Sequence, residues 1–102
     1  MISNVTFRDG IEANRQYPDT FEIPDRETLN TLTPGDVVKV CAENEQDQGE
    51  RFWIILTHIG GIEDNSTLKG KVANYLVFAD EFGFNFGDEI EFERRHILSI
   101  FS

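Results

Sequence analysis

Apolar and polar positions alternate with period two in three stretches of this chain, the pattern of a strand with one buried face. In residues 37–42, Val38, Val40 and Ala42 fall on one side and Lys39 and Cys41 on the other. Residues 67–72 place Leu68, Gly70 and Val72 inward and Lys69 and Lys71 outward, with Gly70 marking a bulge or sharp bend. In residues 89–93 the three acids Glu89, Glu91 and Glu93 face solvent while Ile90 and Phe92 face in. Residues 51–59 form the strongest apolar run, with Phe52, Ile54 and Leu56 on one face and Trp53, Ile55 and Ile59 on the other. A strand apolar on both sides is central in a barrel or is covered by another segment, and the N-terminal arm is the expected cover. Residues 96–101 are predicted as a last strand.

The connections carry turn chemistry. Pro34-Gly35-Asp36 and Gly87-Asp88 are turn signals, and Gly60-Gly61 ends the long apolar strand. Residues 32–38 (LTPGDVV) and 84–90 (FNFGDEI) echo one another, which reads as one turn solution used twice. Between 75 and 86, Phe78, Phe82, Phe84 and Phe86 are expected to feed the core from a loop or a short helical turn. The first twenty residues are polar and weakly periodic, an extended arm or irregular pieces. Residues 21–24 read as a short strand stopped by Pro24. Residues 25–32 read as one or two helical turns, with Pro24 or Asp25 at the start and Glu27 in the first turn.

Five strands with mostly short connections and no βαβ pattern predict a mainly β fold. The economical form is a small, strongly bent antiparallel barrel of the SH3-like kind with an N-terminal extension. An α+β roll is the alternative. The 102 residues make one domain, with 1–33 as arm and helical turns and 34–102 as the barrel core.

Charge narrows the partners. Nineteen acids against nine basic residues give a formal charge of −10, which repels phosphate backbones and anionic headgroups. Nucleic acid and membrane are therefore not expected partners, and no segment has the length of a membrane span. The acids keep an aromatic-rich domain soluble, or they face a basic protein. Cys41 is the one cysteine, so no disulfide forms within the chain and a reducing, cytoplasmic setting is expected. Residues 1–5 do not read as a secretion signal, so the two glycosylation patterns, Asn4-Val5-Thr6 and Asn65-Ser66-Thr67, are not expected to be used.

Candidate chemistry is sparse. Cys41, His58 and His96 lack zinc-site spacing, and folding would have to assemble any Cys–His couple. Asp36 and Asp88 follow glycines and read as turn caps rather than an acid/base pair. Gly60-Gly61 lacks the lysine and helix start of a phosphate loop, and Arg94-Arg95 is too short for a nucleic-acid patch. Glu50-Arg51-Phe52-Trp53 is the sharpest cluster, because Arg51 and Trp53 share a strand face and can form one cationic and aromatic recognition patch. The bland reading puts Trp53 under the N-terminal arm and pairs Arg51 with a surface acid.

Several landmarks fall in a fixed order: Phe21-Glu22-Ile23-Pro24, Pro34-Gly35-Asp36-Val37-Val38-Lys39, Glu50-Arg51-Phe52-Trp53-Ile54, Gly70-Lys71-Val72-Ala73-Asn74, Gly87-Asp88-Glu89-Ile90-Glu91-Phe92 and His96-Ile97. Together they resemble a bacterial family known only as a domain of unknown function. Its pattern runs Gly-Asp-x-Val-Lys, Glu-Arg-x-Trp-Val, Gly-x-Leu-x-Asn, Gly-Asp-x-Ile-x-Phe and His-Ile. The resemblance covers residues 21–101. This chain departs from it at Tyr75-Leu76, where a proline is usual, and in its Phe-rich stretch before Gly87. The resemblance implies a small bacterial protein and carries over no catalytic residue. Small acidic proteins of this kind are often immunity proteins or other accessory partners.

These readings lead to the expectation of a non-enzymatic protein-binding module without cofactor or metal, a monomer or weak homodimer, of the kind that serves as an immunity or regulatory partner of a basic protein. Glu50, Arg51, Trp53, Tyr75 and His96 are its candidate partner surface. The alternative is a small-ligand or simple hydrolytic pocket lined by Trp53, Tyr75 and His96.

Overall fold

The computed structural model describes residues 5–101. Residues 1–4, the start of the expected arm with its Asn4 pattern, and Ser102 lie outside the described residues. The strands are β1 (Thr6–Phe7), β2 (Val37–Glu43), β3 (Gly49–Ile59), β4 (Thr67–Val72), β5 (Glu89–Glu93) and β6 (Ser99–Ile100). Three short helices, α1 (Gly10–Gln16), α2 (Arg26–Leu29) and α3 (Ala79–Phe82), and a 3-10 turn at Arg94–His96 complete the elements. All strand pairs are antiparallel, in the order β1-β2-β3-β4-β5, and β6 joins the same edge of β2 as β1 but further along it. The sheet is strongly curled into a half-barrel of the SH3-like kind.

The curl is built where β3 meets β4. A Cβ on Gly70 would lie 2.3 Å from Ile54 Cγ2 and 2.7 Å from the Ile55 carbonyl oxygen, so only glycine permits this approach. One step on, the register runs from Leu56↔Gly70 to His58↔Lys69, which leaves Thr57 as the extra residue of a bulge. The bulge resets the alternation. Ile59, expected on the Trp53 face, instead packs against the core, while Thr57 and His58 are exposed. The bend expected at Gly70 is real, and the inserted residue sits on the partner strand.

The concave face holds the core: Val38, Val40 and Ala42 from β2, Phe52, Ile54 and Leu56 from β3, Leu68 and Val72 from β4, and Phe92 from β5. Leu29, Leu32, Leu76, Phe82 and Ile97 close it from the connections. Phe78 and Phe84 pack at its edge, but Phe86 is 52% exposed. The turn explains that departure. In both Gly-Asp turns the aspartate carboxylate accepts from the backbone N–H three residues back, Asp36 from Thr33 and Asp88 from Asn85, each at 2.9 Å. The glycines adopt φ +100° and +87°. Each turn then clasps a neighbouring strand residue through the glycine N–H and the aspartate carbonyl, Leu56 in one case and Val72 in the other. The residue before each glycine, Pro34 or Phe86, is thereby held outward and exposed.

The N-terminal third is more regular than expected. Asp9 caps α1 by accepting from the Glu12 N–H at 3.0 Å, and Asp25 caps α2 through Thr28 at 2.7 Å. No strand forms at 21–24. The Phe21 N–H donates to the Tyr17 carbonyl and its own carbonyl accepts from Asn14 Nδ2, so its backbone is committed to α1. The C-terminal stretch is also shorter as strand than predicted. Residues 94–96 turn as 3-10, and only Ser99 and Ile100 pair with β2. The cause is Arg94, a buried guanidinium that donates to the carbonyls of Leu29 and Gly61 and to Asn30 Oδ1 and so tethers α2 and the β3–β4 loop.

The close approach at Gly70 predicts a ranking. Gly70→Ala forces backbone and Ile54 apart and should cost about 1–3 kcal/mol. Gly35→Ala meets open space and carries only the left-handed penalty of about 1–2 kcal/mol. Urea unfolding should place Gly70→Ala below Gly35→Ala. The reverse order would mean that the curl does not depend on a missing side chain.

Candidate recognition face

The β2–β3 ladder sets Lys39 opposite Trp53, Cys41 opposite Arg51 and Val37 opposite Ile55. Residues paired in this way share a side of the sheet, so all six belong to the convex face, away from the core. β6 extends the row, with Ser99 opposite Lys39. Phe101 follows, tied by its N–H to the Val37 carbonyl at 2.9 Å.

On this face Lys39 Nζ lies 4.6 Å from the Trp53 ring centroid, and Phe101 meets the same ring edge-on at 5.6 Å. Trp53 is therefore covered in part by Lys39 and Phe101, while the start of the arm, its expected cover, lies outside the described residues. The arm reaches the neighbouring position. Phe21 receives the guanidinium of Arg51 at 5.8 Å and that of Arg8 at 5.4 Å. Nor does Arg51 pair with an acid, since no ion pair among the described residues includes it. Ile55 stays 42% exposed and Phe101 66%. The backbone beneath is fixed by Asn74, whose side-chain oxygen accepts from the Trp53 N–H at 2.7 Å, and by Ala73, whose N–H donates to the Trp53 carbonyl.

The other expected site residues are placed elsewhere. Glu50 is consumed locally: its two carboxylate oxygens accept from the Val77 and Phe78 N–H groups at 2.9 and 3.0 Å. Tyr75 is 80% exposed and stacks on Phe86, with centroids 4.8 Å apart and planes 15° apart. His96 lies toward the concave side, 5.6 Å from Phe7, a residue that pairs with the core position Ala42. His96 thus lies on the side of the sheet opposite Trp53, and the ring contact of Tyr75 is with Phe86. Arg51 and Trp53 are the pair the fold brings together. Sequence reading missed Lys39 and Phe101. Lys39 was legible as a neighbour from strand pairing alone, whereas the position of Phe101 depends on where β6 docks.

The nucleophile candidates behave as packing groups. Cys41 is buried, and burial, followed by the nearby Glu43 charge, pushes its thiol pKa up. It occupies the face opposite to His96, and His58 is exposed at the far end of β3. Among the described residues no three histidine, cysteine or acidic side chains gather as a metal site requires. Asp36 and Asp88 are the turn caps described above. No helix of the described residues is long and apolar enough to cross a membrane.

His96 yields a pH prediction. Its Nδ1 accepts from the Glu93 N–H at 2.9 Å, which requires the neutral ring with its proton on Nε2. Burial lowers its pKa, opposed by the Glu93 and Asp9 charges and assisted by Arg95. The folded state therefore binds the proton less readily than the unfolded chain. This contribution to stability is complete above the unfolded pKa, about 6.5, and is lost as pH falls through it toward the folded value. Unfolding free energy should rise with pH up to about 6.5, the unfolded value, and gain nothing further from this group above it. His96→Asn keeps an acceptor near the Nδ1 position without a titrating ring and should flatten that rise; an unchanged slope would assign it to other groups.

Compared with protein-family models, with curated proteins and with solved structures, the chain matches none.

Proposed function

We propose that this chain is a non-enzymatic protein-binding module that meets its partner with the convex face around Trp53. The observation that carries this reading is the aromatic and cationic assembly of Trp53, Phe101, Lys39 and Arg51 beside exposed Ile55. Tryptophan, arginine and other aromatics dominate the energetics of protein interfaces, and a scaffold of paired strands holds these in place at little entropic cost. The Tyr75–Phe86 stack and Val77, 80% exposed, add a second apolar shoulder beyond the end of β4. The buried Cys41, the locally bonded His96 and the turn-bound aspartates support a binding role over a catalytic one.

The formal charge of −10 supports a partner of net positive charge, with electrostatics hastening encounter rather than setting affinity. A bacterial immunity or regulatory protein, cytoplasmic and monomeric or weakly dimeric, is the form of this reading that the charge, the single reduced cysteine and the landmark resemblance support. The family itself remains a likeness of short motifs.

The test is capture from extracts of the source cell with the wild-type chain and with a Phe101→Ser/Tyr75→Ser variant, both substitutions lying at exposed positions. A basic protein should be retained by the wild type, released as salt is raised, and lost with the variant. Identical captured proteins for both chains would overturn the assignment of this face.

A further inference from the structure

The nine basic residues divide unevenly over the surface. Arg8, Arg15, Arg26, Lys69 and Arg95 each stand in an ion pair with a carboxylate, and Arg94 is buried among carbonyls. The remaining three, Lys39, Arg51 and Lys71, belong to no ion pair among the described residues. The register puts all three on the same convex face, since Lys39 pairs with Trp53, Arg51 with Cys41 and Lys71 with Ile55. Among the described residues these are the three cations, besides the buried Arg94, without an ion pair, although the same face also carries Glu89 opposite Lys71 and Glu91 opposite Lys69.

Two of these cations share a cavity. Lys39 and Arg51 are diagonal neighbours across the β2–β3 ladder, within mutual reach for side chains of their length. Both line a depression of about 190 Å³, together with Thr20, Phe21, Glu22 and Ser99. Each rests on a ring face, Lys39 on Trp53 and Arg51 on Phe21. A ring face orients a cation without cancelling its charge, so both retain donors for an anion. The volume corresponds to about six waters at roughly 30 Å³ each. It lies below the roughly 300 Å³ at which pockets begin to enclose a drug-sized ligand. The cavity therefore has room for a charged head group, with the rest of the ligand lying outside it, and Trp53, Ile55 and Phe101 supply the adjoining apolar surface.

We propose that this cavity is an oxyanion-binding site that takes the carboxylate of a ligand whose apolar part lies against Trp53 and Phe101. A carboxylate is favoured over a phosphate because Glu22 stands at the cavity and the whole chain is anionic, so a second negative charge on the ligand is penalised. The site does not depend on the protein-partner reading, for a free acid and the last residue of a peptide present the same group.

Trp53 is the single tryptophan of the chain, and the Lys39 ammonium sits on its ring, so its emission reports an anion that draws Lys39 away. The probes are N-acetylphenylalanine, phenylpropionate, inorganic phosphate and the uncharged N-acetylphenylalaninamide. Saturable change with the two carboxylates is expected at about millimolar dissociation constants, with the amide at least about tenfold weaker. Tighter binding of N-acetylphenylalanine than of phenylpropionate assigns the site to a peptide terminus, and the reverse assigns it to a free acid. Lys39→Met and Arg51→Met should each weaken binding about fivefold or more. Glu22→Gln, at an exposed position, should tighten it about two- to fivefold. Equal binding of the acid and its amide, no saturation, binding of phosphate alone, or unchanged affinity in both cation variants and in Glu22→Gln would each overturn the proposal. A failed captured-partner experiment would leave these outcomes untouched.

Discussion

The approach of β4 to β3 at Gly70 is the constraint on which the rest of the fold depends. With no side chain at Gly70, Ile54 and the Ile55 carbonyl close onto the β4 backbone, and the sheet bends around that contact. The bulge at Thr57 lies one residue past it and increases the local twist. A flat sheet of this length would leave one broad apolar face for layers the chain does not possess. Curling wraps that face around Val40, Phe52, Ile54 and Leu68, so a few short connections suffice to seal it. It also makes the opposite face convex, and there Ile55 and Phe101 are exposed beside a partly covered Trp53.

The curl leaves the half-barrel open between β1 and β5, at the two ends of the strand order. Phe7 reaches across and approaches Phe92 at 6.4 Å, but a cavity of about 350 Å³ remains between Val5, Phe82, Phe84 and Ile90. The β5 edge beside it carries Glu89 and Glu91 outward, which makes pairing with a second copy of the same edge unfavourable. At its end His96 accepts the Glu93 N–H, and the chain then turns away. Aromatic contact and acidic edge together keep a small open barrel from needing full closure.

Residues whose surroundings are local were legible in the sequence, and residues placed by distant contacts were not. The inward and outward sides of β2, β4 and β5 followed from alternation, and both Gly-Asp turns formed with the aspartates as caps. Their repeated use is real geometry, since Leu56 and Val72 are clasped in the same way. Helix α1 escaped because it is short and its apolar residues are few, although Asp9 followed by Glu12 is a helix-start signal available to inspection. Ile59 was assigned to the wrong face because a bulge shifts parity without any mark in its own strand. Phe86 looked like core by composition, yet its place before Gly87 fixes it outward. Phe101 and Lys39 became site residues only through the pairing of β6 and β3 with β2. Alternation shows which side of a strand is wet, but not which neighbour will stand there.

The distribution of charge on the convex face has a physical consequence of its own. Exposed ion pairs contribute about 0–1 kcal/mol each, so stability does not require Lys39, Arg51 and Lys71 to find carboxylates. Solubility does not explain their grouping either, because an acidic surface is already well repelled from itself. At physiological salt, charges more than about 8 Å apart are largely screened where solvent is open to them. A ligand group at the Lys39–Arg51 cavity therefore senses those two cations, and Glu22 beside them, more strongly than the acids elsewhere. In the proposed reading, net charge biases which bodies approach from a distance, and Lys39 and Arg51 act on the group that reaches their cavity. A basic partner presenting one carboxylate would satisfy both conditions, so an acidic chain and a pair of cations beside Trp53 do not conflict.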